Sequence, residues 1–273
     1  DDGDDGDDGD DGDDAAEKRD STNSGITPGE WHPETLSKTR AGGGTSSIST
    51  AGAAVQVSHT CANGKVITMT FVDPGVPRKA NHFFNTAAKK AVAAVIAGDA
   101  AAGCERPYTY DEVARWMLTS EKLSKNRIGD YLGRTDEHAM ATIDAFLGHL
   151  DFTPFVFDEA LRFFLSLFKL PGEAQQIDRI MEKFAAQYTK AHPQTFTAPE
   201  TAYVLAFSLI MLNTDAHSDQ IEHKMSLAQF LNNNRGIDEG EDLDPAMMTE
   251  LYHSIVKNEI RMEQREFIGA GAC

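Results

Sequence analysis

Positive charge is scarce in this chain: 25 Lys and Arg face 43 Asp and Glu, a formal net charge of -18 at neutral pH. The first fourteen residues, DDGDDGDDGDDGDD, hold ten of those negative charges, and without them the chain still carries -8. A nucleic-acid partner calls for a basic face to neutralise phosphates, so none is expected. Cysteine is scarce as well. Cys61, Cys104 and Cys273 lie far apart and form no CxxC pair. Neither a disulfide framework nor a zinc site is indicated, and the usage suits a reducing cytosol. Long apolar runs are also missing. The longest, Tyr203 to Leu212, is about half of the roughly 18 residues that a membrane span needs.

Motifs for bond-making chemistry are absent too. There is no GxxxxGKS or GxxxxGKT phosphate loop, no GxGxxG opening a helix and no HExxH, so no cofactor and no metal are expected. His217 and His223, the close pair among nine histidines, fall on different faces of a helix and do not read as metal ligands. In the acidic repeat, taking Gly6 or Gly12 as the sixth loop position puts glycine at the third, where a calcium ligand is required.

What is present changes character along the chain. Residues 1–14 have no apolar side chain and are expected to be disordered. Residues 15–80 read as linker. Their first part, to residue 54, is rich in Ser, Thr, Gly and Ala and shows no period of 2 or 3.6. Over 55–72, β-prone runs flank Asn63-Gly64 and predict a hairpin. Two strands alone are marginal; the end of a neighbouring domain is one reading, and no function is attached to the ribbon. The chain opens on Asp without a signal peptide, as expected of a piece of a longer protein.

Helical signals run from residue 81 to 265 and leave 266–273 as a tail. Thr109 to Glu112 reads as a capping box ahead of Val113, Trp116 and Met117. Apolar stripes at helical spacing follow: Met140, Ile143, Phe146, Leu147 and Leu150 after Thr135, and Leu161, Phe164, Leu165 and Phe168 after Asp158. Beyond Pro171-Gly172 comes Ile177, Ile180, Met181, Phe184 and Tyr188. Further starts are expected at Thr197, Ser226 and Asp244-Pro245, with weaker helices over 87–97 and 126–132. The fold class is all-α, a stack of eight to ten short helices with no strand among them.

Two segments stand out. Glu173 follows Pro171-Gly172 and precedes an amphipathic helix. In one reading it simply gains a few tenths to about 1 kcal/mol from the helix dipole. The helix from Tyr203 to Leu212 is apolar nearly all round. Val204, Leu205, Leu209 and Leu212 make one face, and Tyr203, Phe207, Ile210 and Met211 another, rich in the residue types favoured at protein–protein contacts. Burial of both faces in the core is the alternative.

Together these segments closely resemble the Sec-seven family, the catalytic domain of Arf guanine nucleotide exchange factors. The resemblance rests on FKLPGEAQQIDRIMEKFA, Phe168 to Ala185, followed by TAYVLAFSLIMLNTDAHS, Thr201 to Ser218. RIGDYLG at Arg127 to Gly133, AFLGHLDF at Ala145 to Phe152 and NNRGIDEGEDL at Asn233 to Leu243 support it. It implies a right-handed stack of about ten helices, with Glu173 as the catalytic glutamate. It also implies a groove for an Arf-family small GTPase, GDP-bound or nucleotide-free, at Tyr203, Phe207, Ile210 and Met211. Polar contacts would come from Asn213, Thr214, Asp215 and Ser218, with Leu170, Gln175 and Asp178 facing the same partner. For Asp178 an ion pair with a neighbouring Arg or Lys is an equal reading. Ser218 and Ala216 depart from the Asn and Leu common in the family. The implied activity is nucleotide exchange without covalent chemistry. The expected location is cytoplasmic, with peripheral recruitment to Golgi or endosomal membranes through modules outside this chain. Two other readings stand beside it. One is a helical scaffold that binds the GTPase without exchange; the other is a bond-making enzyme using Asp215 or Glu173 as general base beside His217.

Overall fold

The computed structural model describes residues 45–51 and 54–261. The acidic repeat 1–14 and the tail 266–273 lie outside the described residues. Among those described, three strands precede nine α-helices. The strands are β1 (Thr45–Ala51), β2 (Ala54–Thr60) and β3 (Val66–Val72). The helices are α1 (Arg78–Ala97), α2 (Tyr110–Thr119), α3 (Lys125–Leu132), α4 (Glu137–Gly148), α5 (Phe157–Leu167), α6 (Ala174–Ala191), α7 (Pro199–His217), α8 (Leu227–Asn233) and α9 (Pro245–Lys257). No helix among these residues is long and apolar enough to cross a membrane.

Helices begin where side chains can stand in for the missing backbone partners of the first turn. At α2 the Thr109 hydroxyl accepts from the Glu112 N–H at 3.2 Å while the Glu112 carboxylate accepts from the Thr109 N–H at 2.9 Å. Ser226 and Gln229 close the same reciprocal pair at α8, and Asp244 caps α9 with Pro245 in its first turn. The start expected at Thr197 moves. Ala198 occupies the cap position of α7, and Thr197 instead bonds Asp238 through both its N–H and its hydroxyl. α5 also starts earlier than expected, at Phe157. Asp158 is therefore an interior residue, 3% exposed, accepting from the Ser254 hydroxyl of α9. Burial raises its carboxyl above the ordinary range, with Ser254 and Arg162 pulling the other way. The weak helix expected over 87–97 is the second half of α1, which kinks at Ala87 (φ -149°, ψ 69°). Next to the kink the Thr86 hydroxyl donates to the Phe83 carbonyl at 2.9 Å.

The core between the helices is strongly aromatic. Phe164 stacks on Phe184 with centroids 5.0 Å apart, and Phe152 and Phe168 meet this pair edge-on at 5.4 and 5.0 Å. Such pairs add about 0.5–1.5 kcal/mol each beyond the area they bury. Phe168 ends α5, so the loop leaving that helix is anchored in the core.

The sheet corrects one expectation. The hairpin is present, β2 pairing with β3 across the turn at Asn63-Gly64. A third strand, β1, lies within what was read as linker and pairs antiparallel with β2 along its whole length. Its sequence, TSSISTA, has little apolar content, which is why no strand was expected there. The ribbon packs against the helical domain. Val57, Ile67 and Phe71 share the helical core, and the Arg115 guanidinium of α2 donates to the Val72 carbonyl at 3.1 Å.

Candidate functional site

Between α5 and α6 the chain passes over α3, and two glycines of α3 and its end make that approach possible. A Cβ on Gly129 would overlap the carbonyl oxygen of Lys169, and one on Gly133 would lie 2.7 Å from the Gln176 Cβ. Gly129 sits inside a helix, where glycine costs about 1 kcal/mol relative to alanine. The close passage of the loop is its reason. The Lys169 N–H donates to the Lys125 carbonyl at 3.1 Å, and Arg179 of α6 donates from Nε and Nη2 to the Gly133 carbonyl at 3.0 and 2.5 Å. Lys125, Gly129, Gly133 and Arg179 were not among the expected site residues. The signal that could have found the two glycines is RIGDYLG, with glycine inside a helical pattern, whereas nothing local marks Lys125 or Arg179.

This seat presents Glu173. Leu170 and Pro171 turn inward, while Gly172 and Glu173 are exposed. Glu173 occupies the cap position of α6 with extended backbone (φ -99°, ψ 125°), and its carbonyl accepts from the Gln176 and Ile177 N–H groups. Its carboxylate makes no capping bond to the helix backbone. It accepts from the Gln176 side chain at 2.9 Å. The neighbouring Asp130 carboxyl is raised by local desolvation first and by the negative charge of Glu173, while Arg127 and Lys169 oppose the rise. The dipole reading of Glu173 is therefore incomplete: the carboxylate stands at the positive end of α6 but points no bond at its amides.

Beside the loop, α6 packs along α7. Gln175 is exposed and Asp178 half-buried. Asp178 accepts from the Tyr203 hydroxyl at 3.3 Å rather than pairing with an Arg or Lys. Tyr203 is half-buried, its ring 5.0 Å from that of Phe207. Burial, then Asp178, raises its phenol well above the ordinary range. Only part of the expected apolar face reaches the surface. Tyr203 and Met211 are partly open, as are Val204 and Ser208, whereas Phe207 is 4% and Ile210 1% exposed. Leu205, Leu209 and Leu212 are fully buried. Phe207 and Ile210 thus belong to the interior of the free domain.

The polar end of α7 differs more from expectation. Asn213 is 1% exposed and holds both backbone groups of Ile260, accepting from its N–H at 2.7 Å and donating to its carbonyl at 3.4 Å. Asp215 accepts from the Met225 N–H at 2.6 Å. His217 Nε2 donates to the Ile255 carbonyl at 2.8 Å. Thr214 donates to the Ile210 carbonyl, and Ser218 accepts from the Gln220 N–H. Asp215 and His217 are thus engaged by separate backbone groups, and the acid–base pairing considered for them does not form. The structure joins Asp178 of α6 to Tyr203 of α7, with Glu173 and Gln175 exposed at the start of α6 and Met211 partly open on α7. Asn213 and Asp215 instead tie α7 to later segments of the chain.

The site is thus an exposed carboxylate in a loop beside the paired helices α6 and α7, in a predominantly helical domain. A family model described as the Sec7 domain matches residues 76–260, and the chain belongs to that family. The crystal structure of the Sec7p catalytic domain superposes with a TM-score of 0.60 at 44% identity, over 66% of this chain and 94% of that one. The structure of ARF1-GDP bound to a Sec7 domain complexed with brefeldin A matches at 0.58 and 33%, over 67% and 91%. Curated relatives include brefeldin A-inhibited guanine nucleotide-exchange protein 2 of Arabidopsis thaliana, 50% identical over 154 residues, or 56% of this chain. The ADP-ribosylation factor guanine nucleotide-exchange factor SEC7 of Saccharomyces cerevisiae is 44% identical over 194 residues, or 69% of this chain. The chain spans 9% of the length of each of these two relatives.

Proposed function

We propose that this domain accelerates GDP release from an Arf-family small GTPase, with Glu173 as the group that expels the nucleotide. The observation that carries the reading is the Glu173 carboxylate: exposed at the tip of a loop braced on α3, and free of the capping bonds that would hold it to its own helix. Tyr203 and Met211, with Gln175 and Asp178 alongside, take hold of the mobile segments that flank the GTPase nucleotide. Phe207 backs the Tyr203 ring, and Leu170 supports the loop from beneath. The GTPase grips GDP through its phosphate loop, a lysine and Mg²⁺. Placed beside the β-phosphate, Glu173 disfavours the metal and competes for that lysine. A negative charge about 4 Å from the phosphate costs on the order of 4 kcal/mol at an intermediate dielectric, roughly a thousandfold in affinity. No covalent bond forms or breaks. Recruitment to Golgi or endosomal membranes would come from outside this segment.

The test is release of fluorescent GDP from a purified Arf-type GTPase, with this chain and with Glu173→Lys. The expected result is acceleration by the wild type, and a variant that still binds the GDP-loaded GTPase without releasing nucleotide. A wild type that binds but does not accelerate release would overturn exchange in favour of a silent scaffold. A variant as active as the wild type would remove Glu173 from the mechanism.

A further inference from the structure

The N-terminal sheet, which lies outside the segment matched to the family, meets α5 through three side chains with no part in exchange. The alternation of β2 turns Val55, Val57 and His59 inward, and Cys61 follows on the same side where the hairpin loop begins. Glu159 reaches them from the first turn of α5. All three residues are buried, His59 completely. One nitrogen, one sulfur and one carboxylate oxygen lie within 4.8 Å of one another. His59 Nε2 and Glu159 Oε2 are 3.3 Å apart, close to the edge of a tetrahedron drawn by zinc bonds of about 2.0–2.2 Å.

Hydrogen bonding on the far side of the imidazole fixes its proton. The Ser166 hydroxyl donates to the Phe163 carbonyl at 2.6 Å. Its only proton is therefore placed there, and Ser46 Oγ, 2.6 Å away, must donate to Ser166. That leaves Ser46 Oγ as an acceptor for His59 Nδ1 at 3.1 Å. Nδ1 carries a proton, so Nε2 turns either a second proton or a lone pair toward the carboxylate. A lone pair facing a carboxylate oxygen is repulsive unless a cation stands between them. An imidazole whose Nδ1–H is held by an oxygen is also the form that binds metals through Nε2. The other carboxylate oxygen of Glu159 is fixed by the Ala62 N–H at 2.7 Å.

We propose that His59 Nε2, the Cys61 thiolate and the Glu159 carboxylate bind one divalent transition-metal ion of the zinc type, joining the N-terminal sheet to α5. Neutral imidazole, thiolate and carboxylate together carry two negative charges, which a divalent ion cancels in a buried site. Thiolate with imidazole selects zinc over magnesium or calcium. Binding displaces the thiol proton and any second proton on His59. The adjoining cleft of about 530 Å³ is lined in part by Ala62, Phe155 and Glu159 and so reaches the carboxylate side of the cluster. Nothing local in the sequence marks Cys61 as a ligand, because Glu159 joins it from 98 residues further along the chain.

The full chain, stripped of metal by dialysis against a chelator, is titrated with Co²⁺. The expected result is one equivalent bound with a thiolate-to-cobalt charge-transfer band, which the acidic repeat cannot produce. Cys61→Ala should lose the band, while Cys104→Ala and Cys273→Ala keep it. Zn²⁺ at ten times its dissociation constant should slow alkylation of Cys61 in the unaltered chain about tenfold, reversibly with chelator. That measurement needs no variant and stands even if Cys61→Ala folds poorly. A wild type without the band, a band that survives Cys61→Ala, or an alkylation rate indifferent to Zn²⁺ would leave His59 and Glu159 as an imidazolium–carboxylate pair and overturn the metal site.

Discussion

Replacing Gly129 by alanine tests whether the Glu173 loop owes its position to α3. In a helix interior this change ordinarily stabilises by up to about 1 kcal/mol. Here the added methyl meets the backbone carbonyl of Lys169, which cannot swing aside as a side chain would. Overpacking of this kind costs about 1–3 kcal/mol. If the loop lifts, the Lys169 N–H bond to the Lys125 carbonyl is lost as well, worth about 0.5–1.5 kcal/mol. Set against the full ordinary gain, the terms give a net loss of about 0.5–3.5 kcal/mol, with Tm lowered by roughly 2–4 °C for each kcal/mol in a domain of this size. Glu173 moves with the loop, and a displacement of about 1 Å is enough to reduce a rate on the order of a hundredfold. Gly148→Ala is the control, because a Cβ there meets nothing within 4 Å. Thermal unfolding followed by circular dichroism, with GDP release measured on the same samples, reads both effects. If Gly129→Ala is as stable as Gly148→Ala and exchanges at the wild-type rate, α3 does not position the loop.

Two further substitutions separate structural from partner-facing roles. The Arg106 guanidinium hydrogen-bonded to Glu112 holds that carboxyl down at about 2, against an ordinary 4.5. Its contribution to stability is therefore present above pH 4.5 and lost as pH falls toward 2; Glu112→Gln should flatten the stability curve across that window, and an acid limb unchanged in slope would contradict it. Asn213→Ala strands the buried N–H and carbonyl of Ile260 and should cost about 1–3 kcal/mol in denaturant unfolding while leaving GDP release per folded molecule unchanged. A loss of exchange at full stability would instead make Asn213 a contact to the GTPase.

Interactions that close within a few residues could be read directly along the chain. The capping boxes at Thr109 and Ser226 and the Asp244-Pro245 start appear where their spacing places them, because a cap needs only its own first turn. The stripe Ile177, Ile180, Met181, Phe184 and Tyr188 is buried at every position, since one helix period sets its face. Those starts and stripes predicted the helical class, and Pro171-Gly172 ahead of a helix start singled out Glu173, which is exposed in the structure. Thr197 shows the limit of local reading: its pattern suits a cap, yet Asp238, 41 residues away, claims its N–H and hydroxyl.

Amino-acid order alone therefore determined the helical class, the main breaks between helices and the residue at the tip of the exposed loop, since propensity, periodicity and capping act over a turn or two. Tertiary structure decided the rest. It paired β1, a strand too polar to announce itself, with β2 and the helical core, and it drew Phe207, Ile210 and Asn213 into the interior. It also brought His59 and Cys61 to Glu159 across about a hundred residues. Burial and long-range hydrogen bonding depend on which segments meet in space, and no local period records that.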